Sequence, residues 1–389
     1  MSEARISDAW TLSGDSLDQE PIRVFSRAAL RDMCAARPAG TEGFHRELVA
    51  PYRDLGLLSY TIPKEWGGVG GNVLSEAVLA AELAYTNVSA ALLFTDQAVC
   101  TAVLETLATD AQKEWLYPEM HRGAVFGIAL TEPEAGSDAG SLVCRATPTD
   151  DGFSLSGRKI FITNGDSADY LIVFARVAEG MGAGDIAAFL VERTTEGATV
   201  GRHEQKMGLW GTSTVEMELD GCLVPHDRVL GDIQGGFRAA MVALERGRVA
   251  IGGVAIGITE RVLDLLTKAF SSSAMLDTYG NVRQAAEFGM ADIYTELSAA
   301  RLLILEAGNR AAAGNDGVRA ITSAAKVFAT DVAMRAASNA LSIISPEYLD
   351  GDDWNELERQ FRDAKILQIF EGANELLRWL IARELQRAP

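Results

Sequence analysis

One carboxylate in this sequence stands where it would gain unusual chemistry. Glu371 follows Ile369 and Phe370 and precedes Gly372, so its neighbours along the chain are apolar or lack a side chain. Apolar surroundings disfavour the charged form of a carboxyl group and raise its pKa, which suits a base that removes a weakly acidic C–H proton. The ordinary alternative is a solvated carboxylate near a helix end, because glutamate is usually a surface residue.

Two further segments carry groups that could contact a ligand. Thr131 and Ser137 bring hydroxyls to a short run that also contains Gly136, which would let a ligand approach the backbone. Such a run is more often a polar turn between strands. Phe161 and Thr163 alternate along a β-branched segment and would share one face of a strand. Their ordinary interpretation is a core aromatic beside a surface threonine.

The composition excludes several function classes. A net charge of −19 argues against a protein that binds nucleic acid or an anionic membrane surface. The four cysteines show no CxxC spacing, so neither a metal site nor a disulfide framework is expected, and reduced thiols in the cytoplasm are the default. The N-terminus lacks a basic, apolar secretory signal, and the longest apolar run, 249–258, is too short to cross a bilayer.

The elements that must position these residues follow the order helices, strands, helices. A length of 389 residues predicts two or three domains. Up to residue 122, apolar residues recur at helical spacing in 76–83 and 90–107, separated from what precedes them by a Gly/Pro loop at 63–71. After residue 235, long helices are predicted, and their short connections favour an antiparallel bundle. Their predicted ranges are 237–270, 284–313, 315–344, 354–360 and 375–386.

Residues 123–235 read as β-structure. Short alternating or β-branched runs are separated by turn signals, of which Asn164-Gly165 is the strongest. The predicted strands are 153–157, 159–163, 170–175, 186–191 and 215–219. A small antiparallel barrel or sandwich fits this region best.

Four stretches, in order along the chain, resemble the acyl-CoA dehydrogenase family. They are Ala129–Asp138 (ALTEPEAGSD), Lys159–Gly165 (KIFITNG), Lys206 to Thr214 with Val224-Pro225, and Asp363–Gly372 (DAKILQIFEG). Each is weak alone, but together they cover nearly the whole chain. The resemblance implies an α+β fold that is mostly α: an N-terminal helical domain (1–122), a middle β-barrel (123–235) and a C-terminal four-helix bundle (236–389).

The same resemblance implies FAD as cofactor and an acyl thioester as substrate, the acyl group being carried by CoA or by an acyl-carrier protein. Residues assigned to the flavin are Leu130, Thr131, Gly136, Ser137, Phe161, Thr163, Thr278, Tyr279, Ile366, Ile369 and Phe370. Residues assigned to the substrate are Ser137, Glu245, Arg248 and Gly372, although a helix-surface cation is nearly as good an interpretation of Arg248.

The implied reaction is the α,β-dehydrogenation of the thioester. Glu371 would take the α-proton, flavin N5 would accept the β-hydride, and the product would be a trans-2-enoyl thioester. The thioester carbonyl would accept hydrogen bonds from the Glu371 backbone N–H and a flavin ribityl hydroxyl. Some branches of the family place the base on the long bundle helix instead, at the position of Gly247 here, which cannot serve.

Three departures from the family pattern concern the distal half of the cofactor. Leu276 stands where an arginine usually binds the FAD pyrophosphate, Leu341–Glu347 replaces a Gln-x-x-Gly-Gly-like stretch, and Trp210 stands where arginine is common. Three outcomes are open: other residues hold the FAD, with Arg283 the nearest candidate, FAD binds more weakly, or a second chain supplies the missing contacts.

The implied partners and the alternatives follow from the same resemblance. An electron-transferring flavoprotein is the expected electron acceptor, and the expected assembly is a homotetramer built through the C-terminal bundle. The departures leave open a subunit of a hetero-oligomer with an incomplete FAD site. A flavin monooxygenase on the same fold is a third hypothesis, which the presence of Glu371 disfavours.

Overall fold

The computed structural model describes residues 20–35, 42–177, 182–271, 282–314 and 318–387. It contains a helical N-terminal part, a curled sheet in the middle and a C-terminal helical bundle, so the predicted fold class is confirmed.

The described residues of the N-terminal part contain six α-helices. They are α1 (Glu20–Phe25), which continues through a π turn at Ser26–Leu30 into α2 (Arg31–Ala35), then α3 (Val49–Asp54), α4 (Val73–Thr86), α5 (Val88–Leu107) and α6 (Asp110–Arg122). Asn72 caps α4 and Thr109 caps α6, each in a reciprocal capping box. Helix α5 is apolar and long enough to cross a membrane by composition alone, but 89% of its most apolar stretch is buried inside the protein.

The middle part, as far as it is described, forms one curled sheet of seven strands. These are β1 (Phe126–Ala129), β2 (Arg145–Thr149), β3 (Gly152–Thr163), β4 (Tyr170–Arg176), β5 (Ile186–Glu192), β6 (Ala198–His203) and β7 (Thr214–Pro225). The hydrogen-bonded order is β1-β4-β2-β3-β7-β6, with β5 on β4. The antiparallel pairing expected for this region holds for β2–β3, β3–β7, β4–β5 and β6–β7, but β1 and β2 both pair with β4 in parallel.

Two details of the strand prediction also change. The separately predicted strands 153–157 and 159–163 are one strand, β3, which is interrupted by register shifts against β7. β1, β2 and β6 were not predicted from the sequence, because they are short and carry little apolar alternation. The predicted turn after β3 is present, with Asn164 in the left-handed region at φ 54°.

The C-terminal part contains the predicted long helices. They are α7 (Gly236–Phe270), α8 (Val282–Ala312), α9 (Val318–Ile343), α10 (Gly351–Leu367) and α11 (Asn374–Arg387). The prediction of a helix over 354–360 was too short, since α10 runs through the Asp363–Leu367 half of the last motif. Helix α7 packs closely against α4, because a Cβ at Gly253 would meet the Ala77 carbonyl oxygen at 2.1 Å.

Candidate active site

Glu371 lies on the tight turn between α10 and α11. Helix α10 ends at Leu367, and the backbone N–H of Phe370 still donates to the Ile366 carbonyl at 3.1 Å. Glu371 itself adopts φ 53°, a left-handed conformation that costs energy for a residue with a Cβ. Because such strain persists only where the surroundings impose it, this turn is a candidate functional site.

The Glu371 carboxylate is directed into the protein and not towards solvent. Its Oε2 atom is buried and has no hydrogen-bond partner in the described part of the chain. A Cβ added to Gly247 on α7 would lie 2.8 Å from that Oε2 and 3.2 Å from Cγ2 of Val99 on α5. The carboxylate therefore packs against α7 at Gly247, close to where Val99 of α5 also meets α7, and the alternative of a solvated glutamate is wrong.

Burial sets the proton affinity of this carboxylate. Desolvation raises the pKa of Glu371 to about 7, and the charges of Arg248 and Lys326 act in the opposite direction. A base whose pKa is close to neutral combines the deprotonated form at physiological pH with enough basicity to accept a carbon-bound proton. The environment predicted from the apolar residues before Glu371 is present, but two cations that the motif does not reveal are part of it.

Lys326 is a site residue that the sequence analysis missed. Its side chain on α9 is fully buried, and Nζ donates to the Gly372 carbonyl at 2.8 Å and to Oδ1 of Asn374 at 2.9 Å. Burial lowers the pKa of Lys326 to about 7, while Glu371 raises it. A lysine inside an otherwise apolar helical stretch, Ala324 to Phe328, was the available signal.

Arg248 is buried as well, so its interpretation as a surface cation is wrong. Its Nη1 atom approaches Oγ of Ser323 at 3.4 Å, and its Nε atom has no hydrogen-bond partner in the described residues. Desolvation lowers the pKa of Arg248, and Glu245 and Glu371 raise it. Glu245 lies further out and forms an ion pair with Arg319 at 2.7 Å.

The loop that contains Thr131 and Ser137 is attached to β3 by a buried ion pair. Nζ of Lys159 contacts Oε1 of Glu132 at 2.6 Å and donates to the Leu130 carbonyl at 3.1 Å. The N–H of Ile160 donates to the Thr131 carbonyl at 2.9 Å. The structure therefore brings the first two predicted ligand-binding segments together.

These segments present an apolar ring and free hydroxyls to solvent. Phe161 is 59% exposed and adopts φ 57° at the register shift of β3, which turns its ring away from the core. Thr131, Ser137 and Thr163 find no hydrogen-bond partner for their hydroxyls within the described chain. Gly136 is exposed, and a Cβ there would meet nothing within 4 Å.

A second attachment joins the sheet to the helix that ends beside Glu371. The N–H of Leu209 donates to Oδ1 of the buried Asp363 at 2.6 Å. Trp210 lies under the guanidinium of Arg362, whose Cζ is 3.9 Å from the ring centroid. The Lys206–Thr214 segment thus fixes α10, and with it the Glu371 turn, relative to the β3 face.

Sequence comparisons assign most of the chain to one family. Models of the acyl-CoA dehydrogenase N-terminal, middle and C-terminal domains match residues 17–124, 127–222 and 234–386. An acyl-CoA dehydrogenase of Bacillus subtilis (strain 168) is 37% identical over 350 residues, which are 89% of this chain and 91% of that one. The chain belongs to the acyl-CoA dehydrogenase family. It is therefore a flavin-dependent oxidoreductase.

Solved structures show the same fold. Butyryl-CoA dehydrogenase from Megasphaera elsdenii superposes with a TM-score of 0.89 at 30% identity, covering 100% of both chains. The prolyl acyl carrier protein oxidase AnaB superposes with a TM-score of 0.85 at 25% identity, covering 94% of this chain and 97% of that one.

The described residues fit the flavin that the acyl-CoA dehydrogenase family uses. A planar, apolar ring system with a polar edge would cover the exposed Phe161 ring and receive the unpaired hydroxyls of Thr131, Ser137 and Thr163. On the bundle side, Ile369 is 51% exposed, Ile366 and Phe370 are half-buried, and Leu130 is buried behind the first loop. Thr278 and Tyr279, together with Leu276, lie outside the described residues, so those assignments stay predictions.

The contact between Gly247 and Glu371 leads to a first prediction for this acyl-CoA dehydrogenase. In Gly247→Ala the new methyl group would overlap Oε2 of Glu371, and the flexible carboxylate would shift while the fold is kept. A displacement of about 1 Å at a reacting group can slow catalysis by up to 10²-fold, so we expect single-turnover substrate oxidation to slow by at least about tenfold.

The matched control is Gly351→Ala at the start of α10, where an added Cβ meets nothing within 4 Å. That variant should react at the wild-type rate. An unchanged rate in Gly247→Ala would show that the Glu371 carboxylate does not rest against α7 during the reaction.

Proposed function

We propose that this protein catalyses the FAD-dependent α,β-dehydrogenation of an acyl thioester to the trans-2-enoyl thioester, with Glu371 as the base. The observation that supports this most directly is the Glu371 carboxylate. Its Oε2 is buried against α7 at Gly247 and has no hydrogen-bond partner among the described residues, and burial raises its pKa to about 7.

Several residues of the chain have distinct roles in the proposed removal of the α-proton. Glu371 accepts the α-proton at its carboxylate, and the neighbouring charges of Arg248 and Lys326 offset part of the rise in its pKa that burial causes. Its backbone N–H is the proposed donor to the thioester carbonyl, which acidifies the α-proton. Lys326 fixes the following carbonyl, that of Gly372, and so holds the strained turn in place. When bound, the flavin supplies the acceptor for the β-hydride.

The carrier of the acyl group is CoA or an acyl-carrier protein. Butyryl-CoA dehydrogenase and the prolyl acyl carrier protein oxidase both share the fold, so fold alone does not choose between carriers. Glu245, Arg248, Ser137 and Gly372 are the proposed substrate contacts. Of these, Glu245 is partly exposed and paired with Arg319, as suits a residue near a carrier arm at the mouth of the site.

The test is anaerobic reduction of the purified protein by saturated acyl thioesters. We expect the protein to purify yellow, and its flavin absorption to bleach when butyryl-CoA or a matching acyl-carrier thioester is added. A protein that purifies colourless and regains flavin only with a second chain would favour the hetero-oligomer. Bleaching only by another reductant, followed by oxygen-dependent substrate hydroxylation, would favour the monooxygenase.

We also propose a cytoplasmic homotetramer that passes its electrons to an electron-transferring flavoprotein. Exposed apolar side chains along α8, including Phe288 and Leu302 at 61% and 68% exposure, are consistent with burial against another subunit. Sedimentation at micromolar protein concentration should give the mass of four chains; a monomer would contradict the proposed assembly.

A further inference from the structure

Three carboxylates from distant parts of the chain lie within electrostatic range of one another beside the candidate base. Glu76 on α4 and Asp96 on α5 both feel the charge of Glu371. Each has a buried oxygen without a hydrogen-bond partner in the described residues: Oε1 of Glu76, Oδ2 of Asp96 and Oε2 of Glu371. Glu76 is only 1% exposed. Buried polar atoms are almost always hydrogen-bonded, so three such oxygens together require an explanation.

Packing places Asp96 and Glu76 beside Glu371. Val99 and Oε2 of Glu371 both border Gly247, and Asp96 precedes Val99 by one helical turn, on the same side of α5. Glu76 precedes Ala77, whose carbonyl contacts α7 at Gly253, less than two turns from Gly247. Glu76 and Asp96 therefore come from the two helices, α4 and α5, that pack against α7 near Glu371. The proposed reaction would bring the acyl group to the same base.

The protein leaves these acids without adequate compensation. Arg246 acts on Glu76, but it already forms an ion pair with Glu105 at 2.6 Å. Arg248 and Lys326 act on Glu371. For Asp96, the two influences on its acidity are burial and the charge of Glu371; both raise its pKa, to about 8. Burial likewise raises the pKa of Glu76 to about 8.

Binding of a simple hydrocarbon chain beside the Asp96 and Glu76 carboxyl groups would be unfavourable. Carboxyl groups buried against alkyl carbons lose their hydrogen bonds to water and gain none in return, which costs free energy for each unsatisfied group. A substituent that donates hydrogen bonds would satisfy the free oxygens. Buried carboxyl groups with unpartnered oxygens beside a candidate base are therefore candidates for a role in substrate binding.

We propose that Asp96 and Glu76 are specificity-determining residues that select an acyl group with a hydrogen-bond-donating substituent, a hydroxyl or an ammonium, in place of a plain alkyl chain. This inference rests on the proposed acyl-thioester dehydrogenation. A hydroxyl is neutral and an ammonium group is positively charged, so the experiment uses one pair of substrates for each of these donors.

The experiment uses two pairs of CoA thioesters whose members differ only at the chain end. In the first pair, 4-hydroxybutyryl-CoA has a hydroxyl where pentanoyl-CoA has a methyl group. In the second, β-alanyl-CoA has an ammonium where butyryl-CoA has a methyl group. Anaerobic flavin reduction by the holoenzyme is followed for all four. We expect the donor-bearing member of at least one pair to have a kcat/KM at least about tenfold higher than its methyl counterpart.

Two Asp96 variants connect that preference to the side chain. Asp96→Leu should invert the preference, with the methyl-terminated thioester reacting faster than its donor-bearing partner. Asp96→Asn keeps the size and one acceptor oxygen, so it should retain a preference for the hydroxyl while losing one for the ammonium. Asp96→Leu should also unfold at a higher temperature than the wild type, because an unpartnered buried carboxyl is removed.

The outcomes separate this inference from the proposed function. Faster reduction by both methyl-terminated thioesters in the wild type, with no inversion in Asp96→Leu, would overturn the inference and leave the dehydrogenase intact. If neither these four thioesters nor any other acyl thioester reduces the flavin, the proposed function is wrong and the inference falls with it. Should Asp96→Leu fail to fold, Asp96→Ala, which also removes both carboxylate oxygens, supplies the same comparison.

Discussion

Glu371→Gln should keep its fold and its flavin but lose the ability to remove the substrate α-proton. Glutamine has the shape of glutamate without a basic oxygen, and Gly247 offers no replacement on the neighbouring helix. Loss of a general base slows the reaction by at least on the order of 10²-fold. The measurement is the single-turnover rate of flavin reduction by a saturated acyl thioester, with Glu114→Gln, an exposed glutamate on α6, as the matched control. Near-normal reduction by Glu371→Gln would reject the assignment.

The same residue predicts a pH dependence. Only the deprotonated carboxylate accepts a proton, and burial raises the pKa of Glu371 to about 7. The logarithm of kcat/KM should therefore rise with pH below about 7 and level off above it. An ordinary exposed glutamate would give a flat profile down to about pH 5.

A rescue experiment tests whether a carboxylate in this region is sufficient for proton removal, whichever residue supplies it. The Cβ position of residue 247 lies 2.8 Å from Oε2 of Glu371, so a glutamate placed there could bring its carboxylate to the same region. Glu371→Gly combined with Gly247→Glu should recover part of the rate that Glu371→Gly alone loses. No recovery in a folded, flavin-bound double variant would mean that the backbone turn at residue 371 matters more than the carboxylate.

Glu132→Ala should destabilise the protein strongly. Glu132 is 2% exposed, and its carboxylate accepts from Nζ of Lys159 at 2.6 Å and from the N–H groups of Val143 and Cys144 at 2.6 and 2.9 Å. Truncation leaves the fully buried Lys159 ammonium with the Leu130 carbonyl as its remaining partner. Breaking a buried ion pair on one side costs roughly 3–5 kcal/mol. Urea unfolding followed by circular dichroism measures the loss.

Two controls distinguish the cost of leaving one buried charge unpaired from the net contribution of the ion pair to stability. Glu132→Leu combined with Lys159→Met removes both charges and should recover much of the stability lost in Glu132→Ala. Glu306→Ala breaks an exposed pair of the same 2.6 Å length, with Arg310, and should change the free energy of unfolding by less than about 1 kcal/mol. Equal losses of stability in Glu132→Ala and Glu306→Ala would show that burial does not set the cost of breaking the pair.

Because Glu132 anchors the loop that contains Thr131 and Ser137, Glu132→Ala should also retain less flavin.

Local patterns were sufficient to predict most of the helices and some strands. The long helices α7, α8 and α9 were predicted almost to their ends, because apolar residues repeat at helical spacing and glycine or proline interrupts them. The parallel pairing of β1 and β2 with β4 was not predictable from the strands, since alternation shows which residues share a face but not which strand lies beside it. Family resemblance supplied the domain plan that these patterns left open.

The sequence by itself determined the order of helices and strands, the four motifs and the apolar neighbours of Glu371, because each of these is a property of adjacent residues. Only the tertiary structure decided that Glu76, Asp96, Arg248 and Lys326 surround that carboxylate. These residues are widely separated along the chain and come from four helices. Desolvation and charge–charge interactions depend on distance in space, so the pKa of the base and the polar groups around it arise from packing that no local pattern encodes.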